Sequence, residues 1–127
     1  IETVYDLCAR VSFKGAGVAD DMPTLEGRVV QDADRLDAIG AIGIARTFAF
    51  GGAKGRAMHD PQEASELHQD FEAYKSKNGS SLNHFFEKLL LLRDRLHTQS
   101  AQAIALKRHA YMEGFVQQFL AEWDAHD

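Results

Sequence analysis

The stretch TLEGRVVQDADRLDAIGAIGIARTFAF, residues 24–50, decides the fold class. Its apolar positions Leu25, Val29, Leu36, Ile39, Ile42 and Phe50 recur at helical spacing and predict one long helix or two abutting ones. Pro23 suits the first turn, where its missing N–H would have no partner in any case. Gly40 and Gly43 allow close backbone approach, and Gly51-Gly52 supplies the expected stop.

Working outward, Ile1, Val4, Tyr5 and Cys8 sit at helical spacing, so residues 1–13 read as the tail of a helix, followed by a loop near 14–22. A second loop is expected near 51–61. A polar helix from Gln62 to Tyr74 carries Leu67 and Phe71, and a turn follows near 75–80. Ser81 is the expected N-cap of a helix bearing Leu82, Phe85, Phe86, Leu89, Leu90 and Leu92. From Thr98 onward Ala101, Ile104, Ala105, Met112, Phe115, Val116, Phe119, Leu120 and Trp123 trace one apolar stripe down a last helix. No strand pattern of useful length competes, so the fold class is all-α.

Composition narrows the function. The chain has 127 residues, 45% of them hydrophobic, with 14 Lys and Arg against 19 Asp and Glu, a net charge of -5. That is the length of one domain and the composition of an ordinary globular chain. The acidic balance argues against a grip on a nucleic-acid backbone, which draws its affinity from clustered cations. The single cysteine, Cys8, excludes a disulfide scaffold, and no neighbouring His or Cys activates it as a nucleophile. The most apolar run, Ala38 to Phe50, is interrupted by Gly40, Gly43 and Arg46 and falls short of a membrane span.

The charges are not spread evenly. Between Asp20 and Asp37 six acidic residues face two basic ones, whereas from Lys75 to Arg95 five basic residues face two acidic ones. Asp32 and Asp34, two apart on a helix, point in different directions. Asp32 has Arg28 and Arg35 within a turn on either side and reads as a paired carboxylate. Asp34 has Val30, Ala38 and Ala41 on its stripe, with Asp37 as its charged neighbour. Burying such a carboxylate requires a positive partner from elsewhere, either a metal ion or an Arg or Lys of another helix.

The run from Val29 to Thr47, with QDADRLDAIGAIGIAR at its centre, resembles the signature of small bacterial HD-domain phosphohydrolases of the YedJ-like group. His84-Phe85-Phe86-Glu87-Lys88-Leu89-Leu90, followed by Thr98 and Arg108, is similar to the C-terminal helices of that group. The resemblance covers most of the chain from Ser12 to Trp123. It implies a helical bundle of HD-domain type in which a His, a His-Asp doublet and a distant Asp hold a divalent ion: Mn, Fe, Ni or Mg. The distant Asp falls on Asp34. Asp32 and Arg35 would stand behind it, and Asp37 would orient or deprotonate the attacking water. The resemblance also implies a cytoplasmic enzyme that hydrolyses a nucleotide or other small phosphate ester.

The histidine ligands of the family precede the distant Asp, and here no His precedes Asp34. His59-Asp60 and His126-Asp127 spell the doublet in the wrong places and are expected at the surface. The start at Ile1, without an initiator Met, fits a C-terminal part of one HD-type domain that lacks the N-terminal ligand helices. Such a piece alone is expected to be inactive, and the alternative is a non-catalytic helical interaction or ligand-binding module. Candidate phosphate contacts are Lys54 and Arg56 in the glycine loop, His84 and Lys88 one turn apart, and Arg46, with Arg108 as a further candidate.

Overall fold

The computed structural model describes residues 22–61 and 79–126, together with Val4 and Arg10. The expected helix tail of residues 1–13 apart from Val4 and Arg10, the loop near 14–22 apart from Met22, and the helix from Gln62 to Tyr74 lie outside the described residues, as does the turn near 75–80 apart from Gly79 and Ser80. The described residues form α1 (Leu25–Asp37), α2 (Gly40–Ala53), α3 (Asn83–Glu87), a 3-10 segment (Leu89–Arg95) and α4 (Gln99–Trp123), with no strand among them. No single helix among them is long and apolar enough to cross a membrane.

The decisive stretch is two helices. Thr24 caps α1, its hydroxyl accepting from the Gly27 N–H at 3.0 Å, so Pro23 lies outside the helix rather than in its first turn. The break falls at Ala38–Ile39, where Ile39 adopts extended backbone and is only 2% exposed, and the axes bend by 69°. Gly40 follows with φ +78°, a conformation that L side chains rarely take. A Cβ on Gly40 would also press on the Arg108 stem at 3.0 Å, and one on Gly43 would meet the Ala38 carbonyl at 2.2 Å. Both glycines therefore serve the close approach read from the sequence.

The expected stop at Gly51-Gly52 is corrected. α2 runs on to Ala53, and the chain leaves it through Lys54 and Gly55, the latter at φ +71°. Gly51 is buried inside the helix because the Ser81 side chain packs against it.

The single helix expected after Ser81 is also corrected. Ser80, not Ser81, offers its hydroxyl to the first turn, accepting from the Asn83 N–H at 3.3 Å. The α-helical ladder ends at Lys88, whose backbone (φ -136°, ψ -61°) leaves the helix. The chain then tightens into the 3-10 segment, whose three-residue repeat puts Leu89 and Leu92 on one buried edge.

α4 begins as expected, with the Thr98 hydroxyl accepting from the Ala101 N–H. It packs against α1, α2 and the 3-10 segment. Ile39, Leu82, Phe85, Leu92, Ala105 and Met112 are almost fully buried at the centre. Each large one contributes roughly 1.5–3 kcal/mol relative to exposure. Phe48, Phe85, Phe115 and Phe119 form an aromatic cluster with centroid separations of 5.8–6.1 Å, binding α2 and α3 to α4. Two positions of the predicted stripe, Ile104 near its start and Trp123 at its end, are exposed rather than buried, at 43% and 46%.

Candidate functional site

α1 meets the start of α4 through a buried polar joint. Asp32, 3% exposed, accepts the His97 backbone N–H at 2.7 Å on one oxygen and the Thr98 backbone N–H at 2.8 Å on the other. A carboxylate at a helix N-terminus satisfies donors that have no partner within the helix and meets the positive end of its dipole. Gln31, fully buried, brings its Oε1 to 2.5 Å from His97 Nε2 and donates from its own amide to the Arg10 carbonyl. Arg35, 1% exposed, donates to the Arg95 carbonyl at 2.7 Å. Asp32 and Arg35 are thus buried at the joint with the start of α4, while Asp34 on the same helix is exposed. Their partners are backbone groups sixty or more residues away, which the pairing of Asp32 with Arg28 and Arg35 read from helix spacing did not foresee.

Beside this joint is a cleft of about 270 Å³, and most of the candidate residues meet on its walls. Asp34 and Asp37 come from α1, Arg46 and Phe50 from α2, and Arg56 from the loop after it. Ser81 and His84 belong to the start of α3, and Lys88 stands where α3 gives way to the 3-10 segment. The helix break at Lys88 puts its ammonium beside the carboxylates. Burial pushes that ammonium below its ordinary pKa of 10.5, Asp34 opposes the shift, and Arg35 adds to it. The cation from another helix, one of the two partners open to Asp34 in the sequence, is therefore present as Lys88. Asp34 itself is exposed rather than buried.

Asp37 takes a different partner. Arg46 donates to its carboxylate at 2.5 Å across the α1–α2 bend, and this hydrogen bond, reinforced by the charge of Arg46, holds the Asp37 pKa below its ordinary 3.8. A carboxylate so held is a weaker proton acceptor than an isolated one. His84 lies 3.9 Å from the Glu87 carboxylate, which is buried and also accepts from the Asn83 amide at 2.8 Å. His84 and Lys88 share the cleft, His84 on α3 and Lys88 at the residue where that helix ends.

Arg56 lies over the Phe50 ring at 5.4 Å, and its Nε is buried without a hydrogen-bond partner among the described residues. Lys54 also sits over Phe50, at 5.6 Å, but it is exposed and does not line the cleft. Arg108 is elsewhere: it donates to the Leu36 carbonyl at 2.6 Å, capping the end of α1. His59, expected at the surface, is half-buried with its ring edge-on to Phe119 and Trp123, at 6.0 and 5.0 Å.

Sequence reasoning missed Phe50 and Ser81 as wall residues and His109 as a buried histidine, its Nε2 3.3 Å from Glu113. Phe50 is one of the periodic apolar positions of the sequence, and nothing local separates an inward phenylalanine from one at a cleft.

Among the described residues no three His, Cys, Asp or Glu side chains converge in a way that could hold a metal ion. Of the two carboxylates lining the cleft, Asp37 is engaged by Arg46. The described residues do not amount to a metal centre by themselves.

No family model matches the chain. The uncharacterized protein YpgQ of Bacillus subtilis (strain 168) is 41% identical over 118 residues, which span 92% of this chain and 50% of that protein. A solved structure from Lactobacillus plantarum is 44% identical, with a TM-score of 0.91 over 98% of this chain and 58% of its own. An HD-superfamily hydrolase from Bacillus thuringiensis is 54% identical, with a TM-score of 0.66 over 80% of this chain and 48% of its own. YpgQ has also been solved in complex with ADP; that structure is 44% identical, with a TM-score of 0.60 over 78% of this chain and 44% of its own. The chain spans about half the length of these relatives, and its all-helical bundle is of HD type.

Proposed function

We propose that this chain is the C-terminal part of a metal-dependent phosphohydrolase of HD type, of the YedJ-like group, and that it supplies the wall which holds the phosphate of a nucleotide or small phosphate ester. The observation that carries this reading is the convergence of Arg46, Arg56, His84 and Lys88, from three separate segments, on one cleft beside Asp34. Three cations against two carboxylates leave the cleft an excess positive charge suited to an anion. The likeness to an HD-superfamily hydrolase and to a protein that takes ADP supports the same class of ligand.

In this reading Lys88 and His84 contact phosphoryl oxygens, and the poorly solvated Lys88 ammonium gains more from an anion than an exposed lysine would. Arg56 offers its unpaired Nε–H. Arg46 exchanges Asp37 for the phosphate, and Asp37, once released, recovers enough basicity to accept a proton from water. Lys54 contributes charge from outside the cleft. Asp34 is one ligand of a divalent ion (Mn, Fe, Ni or Mg) whose other ligands lie outside the described residues. When bound, such an ion acidifies water and polarises phosphoryl oxygens.

Metal analysis of the full-length protein and of Asp34→Ala, with a screen of nucleoside triphosphates and phosphate monoesters, tests this. Loss of metal and of turnover together in the variant is the expected result. Metal content unchanged by Asp34→Ala removes Asp34 as a ligand. The 127-residue chain alone is expected to be inactive, and metal-dependent turnover by it would overturn the incomplete-site reading.

The shortage of metal donors among the described residues favours a second reading, a non-catalytic ligand-binding module derived from an HD domain. A full-length protein that binds nucleotide yet neither holds metal nor turns over any phosphate ester would support it.

A further inference from the structure

We infer that Phe50 is a stacking platform for an aromatic base, so that the ligand of the cleft is a nucleoside phosphate rather than an aliphatic phosphate ester. This rests on the phosphate-binding reading of the same cleft. Phe50 stands in the last turn of α2 and is 53% exposed, while Phe48 and Phe85 are packed in the aromatic cluster. Among the described cleft-lining residues it is the one apolar aromatic ring, His84 being the other aromatic side chain. An apolar ring held in water at the wall of a charged cleft gains free energy when a flat ligand covers it.

Two cations already lie against that ring, the Lys54 ammonium at 5.6 Å and the Arg56 guanidinium at 5.4 Å from its centroid. The guanidinium is too close for a base to enter between it and the ring, which would need a separation of roughly 7 Å at ordinary stacking distance. Arg56 must therefore move as the base arrives. Its buried Nε has no hydrogen bond to lose among the described residues, and the cation–π contact it gives up is weak where solvent reaches it. The base takes the ring, and Arg56 turns to the phosphate held by His84 and Lys88. An aliphatic phosphate has nothing to offer Phe50, so it leaves Arg56 where it is.

The test uses two ligands that cannot be hydrolysed at the bridging position, α,β-methylene-ADP and methylenediphosphonate, titrated calorimetrically into the full-length protein. The wild type is expected to bind the nucleotide analogue at least about fivefold more tightly than the diphosphonate. Phe50→Ala is expected to lower that ratio roughly 5- to 150-fold, the range for loss of one base–aromatic stack. Phe50→Trp, which restores an aromatic face, is expected to retain it, separating stacking from damage to the fold. A wild type that binds the diphosphonate with no preference for the nucleotide overturns the stacking inference and leaves the phosphate site standing. A ratio unchanged in Phe50→Ala, or lost equally in Phe50→Trp, also overturns it. Failure of the wild type to bind either ligand removes the phosphate site and the inference together.

Discussion

Replacing Asp32 by alanine removes the joint between α1 and the start of α4. Both carboxylate oxygens are committed to backbone N–H groups, at 2.7 Å from His97 and 2.8 Å from Thr98, in a site only 3% exposed. Hydrogen bonds to a charged acceptor contribute about 1.5–3 kcal/mol each, so the gross loss is about 3–6 kcal/mol. Part of this is offset, because the variant no longer buries a charge. The offset is limited by the two donors left without a partner, and a net cost of about 3 kcal/mol follows, or roughly 150-fold in the folding equilibrium. Asp32→Asn keeps one acceptor and places an amide N–H₂ against the other donor, so about half that cost is expected. Urea unfolding of the full-length protein, followed by far-ultraviolet circular dichroism, reads both values as midpoint shifts at constant slope. Thr98→Ala serves as the internal comparison, since the local hydroxyl cap is worth about 1 kcal/mol. An Asp32→Ala protein within about 1 kcal/mol of wild type, or no worse than Thr98→Ala, would refute the reasoning that this carboxylate bears the start of α4.

Other expectations follow from the same geometry. Asp37 should titrate below its ordinary 3.8 in a carbon-detected NMR experiment and return toward it in Arg46→Ala. Because its folded pKa is the lower one, whatever stability the pair contributes is present above 3.8 and is lost as pH falls through the folded value; a midpoint unmoved by Arg46→Ala contradicts the pairing. Gly51→Ala would put a Cβ 1.9 Å from the Ser81 hydroxyl, so a loss of about 1–3 kcal/mol in thermal or urea unfolding is expected. Adding Ser81→Gly should recover most of that loss, and a double variant no more stable than Gly51→Ala would place the strain elsewhere. Lys88→Met keeps the length of the stem and removes the charge, and should weaken binding of inorganic pyrophosphate by roughly tenfold or more while raising stability, since a poorly solvated ammonium is gone. Unchanged pyrophosphate affinity would remove Lys88 from the phosphate contacts.

Much of the site was legible because it is encoded over single turns. His84 and Lys88 share a face at any tertiary arrangement that keeps them helical, and Asp32 and Asp34 diverge for the same reason. Lys54 shows the limit of such reasoning. It belongs to the same glycine-rich stretch as Arg56, yet the helix runs two residues past Gly51 and leaves Lys54 on the outside while Arg56 returns to the cleft. The proposed metal set is not legible in this chain, because no His precedes Asp34 in it.

By itself the sequence determined that the chain is helical and where α4 begins. These are properties of spacing and of a local start at Thr98, whose hydroxyl finds its partner three residues away. Tertiary structure alone decided that the cation beside Asp34 is Lys88, that Asp32 holds α4 and Arg35 the Arg95 carbonyl, and that Phe50 faces a cleft rather than the core. Each of those outcomes depends on which groups meet across thirty or more residues, or on which face the packed bundle leaves open. Helical periodicity fixes the angle between side chains on one helix and carries no information about what stands opposite them.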